Sequence, residues 1–474
     1  MKKRLFAIAL FGATILSFNV SCSDDFVDRK FYQDVEQAPL TNLQEMQAFI
    51  RGAYSYMRGA TYYGADFLAF GEIRSDIMYS NKMGGYYTDV QDYTMISTSS
   101  YASGTWNQIY KMIATTNIAI NTDVTAFTGT DLDKSKARFS QGQAYALRAQ
   151  GFFDLLRLYG QKYTGGDLGI VLPLEYNPAA QMPRATVAAT EIQIERDFEK
   201  ALEIMSNNES TIDASTKKTE LSIPALKALM SRFYLYKGDY AKVKQLTSEI
   251  ISSGEFDVAP VGLLEVTYSD IMNGAAPNSI FELAVGQPAA LGTSSYAYRL
   301  NPDGYANLQV QESVLPTLFQ ANDVRLNLVD SDGFVAGKYT SLNGYDNIKV
   351  VRYEEVLLNA IEAELQVGSP AKALEYYKTL LSQRLLAIKN SEGVVISSVE
   401  EQLAAITSVT LADLKQERAR ELLGEGFRQW DLLRWGDTSF KPATVNANLL
   451  AFPIPRAEIN ISGTAIVQNP GYEL

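Results

Sequence analysis

Between residues 223 and 254 the chain carries one pattern twice, and that pattern limits the fold more than any other feature. Leu226, Leu229, Met230, Phe233 and Tyr234 fall at i, i+3, i+4, i+7 and i+8, which places them on one face of a helix. This stripe stops at Lys237-Gly238-Asp239, and a second, Val243, Leu246, Ile250 and Ile251, follows at once and closes at Gly254. A helix, a tight glycine turn and a second helix make the unit of a tetratricopeptide-type (TPR) repeat, roughly 34 residues long. Neither helix can bury its stripe alone, so such units must stack. The run from Gly238 to Val243, Gly-x-x-Ala-Lys-small, returns at Gly368-Ser369-Pro370-Ala371-Lys372-Ala373. Leu357, Ile361 and Leu365 precede the second copy, and Leu374, Tyr377 and Leu381 follow it. The two copies lie several repeat lengths apart, so long insertions interrupt the helical pairs. Two further pairs are expected, 141–158 with 190–205 and 411–424 with 427–435. Ile194, Phe198, Ala201, Leu202 and Met205 form the stripe of the 190–205 helix.

The interruptions read differently. Residues 60–105 and 255–350 are rich in Gly, Ser, Asn, Asp and Tyr and lack sustained helical period, with strand-like pieces such as Ile280–Val285. The expected fold is therefore mainly α: a TPR-like scaffold of helical hairpins whose irregular insertions and few short strands form the ligand-binding face. Irregular segments on a rigid scaffold are where binding residues gather.

Residue inventory removes much chemistry. The chain has no histidine and one cysteine, Cys22. Histidine triads, Cys-His nucleophiles and zinc or copper sites built on imidazole or thiolate are excluded. Carboxylate, hydroxyl, lysine and oxygen-ligated metal chemistry remain. The formal net charge of -12 argues against nucleic acid and against broad adhesion to anionic membranes. Tyrosine supplies most of the flat polar-tipped surface, at 28 residues against 3 tryptophans.

Cys22 has a context of its own. Lys2, Lys3 and Arg4 precede an uncharged apolar run from Leu5 to Phe18, which is shorter than the ~20 residues a bilayer span needs and fits a cleaved leader. Phe18-Asn19-Val20-Ser21 before Cys22 resembles a bacterial lipobox, although Asn19 replaces the usual aliphatic residue. Ser23-Asp24-Asp25 after it resembles the acidic tag of surface lipoproteins. The expectation is a signal peptide at 1–21, lipidation at Cys22, a tether over 22–40 and a binding domain over 41–474.

The stretch Glu417–Gly436, ERARELLGEGFRQWDLLRWG, first suggests a catalytic carboxylate cluster. Yet Glu417, Arg418, Arg420, Glu421, Glu425, Arg428, Asp431 and Arg434 alternate in sign at helical spacings, so i, i+3 and i, i+4 pairing within a scaffold is the simpler expectation. This stretch is similar to the "ER..EL..EG.R..DL.RWG" motif of the SusD/RagB family of surface nutrient-binding lipoproteins. The ending resembles the family too, through Phe452-Pro453-Ile454-Pro455 and Gln468-Asn469-Pro470-Gly471-Tyr472. So do Trp106-Asn107-Gln108-Ile109-Tyr110 with Asn117, Arg148-Ala149 with Phe152, Phe153, Tyr159 and Gly160, and Tyr353–Leu358 with Glu362-Ala363. The resemblance implies a TPR-containing helical bundle with a variable ligand face, capping a SusC-like TonB-dependent transporter at the outer membrane. It implies no cofactor, no metal and no catalytic residue.

Trp106, Trp430 and Trp435 all fall in scaffold motifs, so sugar stacking is expected of tyrosines in the insertions. The candidates are Tyr62, Tyr63, Tyr86, Tyr87 and Tyr93 in the first and Tyr296, Tyr298 and Tyr305 in the second. Arg74, Asp76, Asn81, Asp89, Asp92, Arg299 and Asn301 stand beside them as hydrogen-bonding groups for sugar hydroxyls. Three functions remain open at this point: an oligosaccharide binder, an oligopeptide binder like RagB, and a surface glycoside hydrolase.

Overall fold

The computed structural model describes residues 39–212, 218–463 and 465–473. Cys22, the leader and most of the tether lie outside the described residues. Thr41–Leu474 forms one compact unit.

The scaffold is a series of helices: α1 (Leu43–Met57), α2 (Asp66–Ile73), α3 (Ser100–Ile120), α4 (Asp131–Tyr159), α5 (Val187–Ser206), α6 (Ile223–Lys237) and α7 (Tyr240–Ser253). After the second insertion come α8 (Tyr353–Val367), α9 (Pro370–Leu381), α10 (Leu411–Glu421) and α11 (Arg428–Arg434). The repeated pattern is the pair α6–α7. Ser222 caps α6 by accepting from Ala225 N, and Pro224 sits in its first turn. Gly238 ends it in the left-handed region at φ 76°, where a side chain would be strained. Asp239 then caps α7. The second copy is α8–α9, and the expected pair 141–158 with 190–205 is α4 packed on α5. At α4 the amphipathic pattern disappears, because Ala146–Tyr159 is buried all round. The charges this helix takes inside are paired: Arg148 holds Asp197 of α5 through two bonds of 2.8 and 2.7 Å, and Arg157 holds Asp154.

The insertions are clasped by small antiparallel pairs. β1 (Met78–Ser80) pairs with β3 (Leu308–Val310), and β2 (Ser279–Leu283), which overlaps the expected strand 280–285, pairs with β4 (Ile348–Arg352). The first insertion also contains α2, which periodicity missed. Every residue from Phe67 to Ile73 is buried, and a helix apolar all round shows no stripe.

The C-terminal motif is structural, but its charges pair mainly across the fold rather than along a helix. Glu421 accepts from Arg352 Nη1 at 2.6 Å and Arg384 Nη2 at 3.0 Å on one oxygen. Its other oxygen takes Arg384 Nε and Arg325 Nη1, both at 2.8 Å. Glu425 takes Lys338 and Arg352. Arg418 holds Asp431, and Arg434 holds Glu362. Local i, i+3 pairs are limited here to Glu417–Arg420 and Asp431–Arg434. Arg384, Arg325, Arg352 and Glu421 are all at most 2% exposed. Trp106 and Trp430 are core residues, whereas Trp435 is half-buried and donates to Glu362.

Burial alone would raise the Glu421 carboxyl, but Arg384, Arg352 and Arg325 hold it well below the usual carboxylate range. A group whose folded pKa is depressed adds stability above its unfolded value, about 4.3 for Glu, and loses it as pH falls further. Glu421→Gln is therefore expected to lose about 3–5 kcal/mol at pH 7 in urea unfolding, since three guanidinium groups lose their shared partner. The gap between variant and parent should narrow at pH values below about 4, where the parent carboxylate is itself protonated in the unfolded chain.

Candidate ligand-binding site

Two loops separated by more than two hundred residues meet where β1 and β3 end. Tyr79 pairs with Gln309 in the ladder. Beyond it Asn81 N donates to Asn307 O at 2.9 Å, and Asn81 Nδ2 reaches Ala306 O at 2.6 Å and Gln309 Oε1 at 2.9 Å. Asn307 answers by donating to Met83 O at 2.8 Å. Loop 298–307 folds back on itself through Tyr305 N to Tyr298 O at 2.6 Å. Gly304 is required there, because a Cβ would stand 2.5 Å from Tyr298 O.

This clasp brings three half-exposed tyrosines together. Tyr86 and Tyr305 stack at 5.0 Å between centroids and 29° between planes. Tyr298 meets Tyr305 edge-on at 4.8 Å. Beneath them lies Arg299, 8% exposed, its guanidinium carbon 4.0 Å from the Tyr86 ring centre and 4.9 Å from that of Tyr305. Hydrogen bonding to Arg299 draws the Tyr86 hydroxyl below its ordinary pKa. A cleft of about 520 Å³ opens beside Tyr86, lined also by Gly84, Gly85, Asp89, Ile96, Thr98 and Tyr101. Asp89 is positioned by Ser99 Oγ at 2.7 Å. Asn301 stays local, accepting from Asp303 N in the turn before Tyr305.

The remaining candidates are elsewhere, for reasons that side-chain type alone does not reveal. Tyr62 is fully buried with its hydroxyl on Asp154, and Tyr63 packs on Tyr62 and Phe67. Tyr87 is fully buried too, stacking on Tyr101 at 4.9 Å and donating to Asp66 at 2.8 Å. Burial lifts the carboxyl of Asp66 to about 6 and pushes the Tyr87 hydroxyl well up. Tyr296 is 3% exposed and meets Tyr339 edge-on. Arg74 is buried between Tyr93 and Phe452, with Nε on Val90 O at 2.8 Å. None of these can offer a face to a sugar. Asp76 is exposed but held by Arg428 through two bonds of 2.7 Å, and Asp92 pairs with Lys82. Sequence reading missed Ile96, Thr98 and Tyr101 of the cleft wall. Ile96 is 63% exposed, an apolar residue in a polar loop, which was the available signal.

Similarity to known proteins points the same way as the motifs. A family model described as "Starch-binding associating with outer membrane" matches residues 25–235, and one described as "SusD family" matches residues 328–448. The chain belongs to the SusD/RagB family. A relative named SusD-like protein P38, from Formosa agariphila, is 23% identical over 463 residues, covering 86% of this chain and 85% of its own length. A solved SusD superfamily protein from Bacteroides thetaiotaomicron superposes with a TM-score of 0.75 at 24% identity, over 91% of this chain and 100% of that one. Surface glycan-binding protein A from the same organism, solved with laminarihexaose, gives 0.69 at 17% identity, over 90% and 99% of the two chains. These likenesses establish the SusD fold, and some of the solved neighbours are named as sugar- or glycan-binding proteins.

The division of the tyrosines can be measured. In this SusD-family scaffold, Tyr87→Ala opens a cavity under α2 and is expected to cost about 3–5 kcal/mol, lowering the melting temperature by many degrees. Tyr298→Ala removes a half-exposed ring and should cost under about 1 kcal/mol. Thermal melts of the two variants followed by circular dichroism check the contrast.

Proposed function

We propose that this chain is a cell-surface glycan-binding lipoprotein that captures oligosaccharides and delivers them to a SusC-like TonB-dependent outer-membrane transporter. The observation that carries the reading is the Tyr86–Tyr298–Tyr305 cluster: three flat, half-exposed rings with polar edges on two clasped loops, with a cleft opening beside Tyr86. Such faces suit the C–H side of a pyranose, and Asn81, Asp89 and Asn301 stand close enough in the chain to serve hydroxyls. The laminarihexaose complex of a SusD-fold relative supports the ligand class. The outer-membrane description of the matched family model supports the location. In this reading residues 1–21 are a leader, Cys22 carries the lipid, 22–40 is a tether and 41–474 binds ligand. Among the described residues no helix is long and apolar enough to cross a membrane.

No hydrolysis is part of this proposal. The acidic residues of the C-terminal motif that come nearest to a catalytic pair, Glu421 and Glu425, are saturated by buried cations. The purified chain titrated against a panel of oligosaccharides and peptides should bind an oligosaccharide without releasing reducing ends. Each aromatic contact is worth roughly 0.5–1.5 kcal/mol beyond its area, so Tyr298→Ala with Tyr305→Ala is expected to weaken binding about tenfold or more. Peptide binding alone, or turnover removed by one Asp or Glu substitution, would replace this reading. A separate measurement addresses the anchor: Cys22→Ala should abolish incorporation of labelled fatty acid and release the protein from the outer-membrane fraction, and continued labelling would disprove lipidation at that residue.

A further inference from the structure

Arg299 is a buried charge with two N–H groups left unmade and no salt bridge among the described residues. Several other deeply buried arginines meet carboxylates: Arg325 meets Asp323 and Glu417, Arg352 meets Glu425, and Arg418 meets Asp431, while Arg74 donates to the carbonyls of Val90 and Leu450. Arg299, 8% exposed, has both Nε and Nη1 buried with no acceptor among the described residues. Asp66 acts on its charge but accepts from the Tyr87 hydroxyl rather than from Arg299. Contact with the rings of Tyr86 and Tyr305 stabilises the charge, and the Tyr86 hydroxyl lies close to the guanidinium, yet Nε and Nη1 still have no acceptor. A buried N–H left unmade is unfavourable, so the free protein carries an unmet hydrogen-bonding demand beside its tyrosine platform. A guanidinium matches the two oxygens of a carboxylate or sulfate through parallel N–H bonds.

We infer that the platform takes an anionic sugar, one bearing a carboxylate or sulfate ester, and that Arg299 is the group that receives the oxyanion while Tyr86, Tyr298 and Tyr305 hold the ring. The loop that carries Tyr86 suits entry. Lys82, Gly84, Gly85 and Tyr87 all have positive φ, and residues 82–85 are exposed, so Tyr86 rides on a turn that packs little on its outer side. Movement of that one ring uncovers the guanidinium edge. The inference rests on the glycan-binding reading and deepens it by naming the ligand's charge.

The test is calorimetric titration of the whole mature chain with three probes of equal length: laminarihexaose as the neutral arm, a hexauronate as the carboxylate arm, and a sulfated hexasaccharide as the sulfate arm. At low salt the parent should bind one anionic probe at least tenfold more tightly than the neutral one, and the advantage should shrink as salt rises. Which anionic arm wins identifies the source of the oxyanion. Arg299→Gln should erase the advantage, weakening the anionic probe at least tenfold more than the neutral one, and Arg299→Lys, which keeps the charge but not the fork, should retain part of it. If Arg299→Gln fails to fold, Arg299→Lys and the parent's salt dependence still decide. Neutral binding equal to or tighter than both anionic arms overturns the inference and leaves the glycan reading standing. Binding of none of the three while a peptide binds overturns both. Equal loss of all three probes in Arg299→Gln, together with a lowered melting temperature, makes Arg299 a structural residue and overturns its assigned role.

Discussion

The Glu421 carboxylate is the point on which the separate parts of this fold converge. It lies on α10, yet its bonds go to Arg325 and Arg352 of the second insertion and to Arg384 just past α9. Arg384 also reaches Glu354 at the start of α8, and Arg352 also reaches Glu425. An isolated buried ion pair is weak evidence for stability, because desolvation offsets the attraction. Here each charge is satisfied several times over, and the arrangement is directional. A long insertion with little regular structure has few ways to fix its path. Arginine forks that must meet particular carboxylate oxygens supply that fixation at stated residues.

The same motif fixes the first insertion by a different means. Gly426 and Gly71 approach so closely that a Cβ on Gly71 would stand 2.2 Å from Gly426 O. Glu72 then accepts from Gly426 N at 2.7 Å and Phe427 N at 3.1 Å, which closes the contact with hydrogen bonds. Arg428 adds the pair to Asp76. Helix α2 is thus joined to the C-terminal motif at its end, and Asp66 at its start holds Tyr87 in the floor under Tyr86. Both insertions therefore refer their positions to residues 417–428, and the β1–β3 clasp needs only to bring their tips together.

What was legible in the sequence follows from this division of labour. The pairs α6–α7 and α8–α9 were readable because a one-sided helix writes its environment as a period and because Gly238 marks the turn between the first pair. Helix α2 was not, since burial on all sides erases the period, and α4 was expected only over 141–158 although it begins at Asp131. The scaffold role of ERARELLGEGFRQWDLLRWG was readable from alternating charge, but its partners were not: helical spacing is local, while Arg325, Arg352 and Arg384 lie far from Glu421 in the chain. Tyrosine posed the hardest problem. Tyr86 and Tyr87 are adjacent, yet one is half-exposed and the other fully buried, because Tyr87 has positive φ and a carboxylate beneath it. Composition marks both equally.

That separation also sets the scale of any recognition at this face. Of the eight tyrosines the sequence nominated, five serve the core and three face outward. Three partly exposed rings, contributing on the order of 0.5–1.5 kcal/mol each beyond the area they bury, support affinities well short of the tightest protein complexes unless a charge joins them. Arg299 is the charge so placed, within 5 Å of two of the three ring centres. Because the rings lie on loops clasped by backbone bonds while Arg299 lies beneath them, stacking and charge recognition are separable in this architecture. On the proposed reading, a change at Tyr298 or Tyr305 should alter how firmly a sugar ring is held, and a change at Arg299 which sugars are preferred.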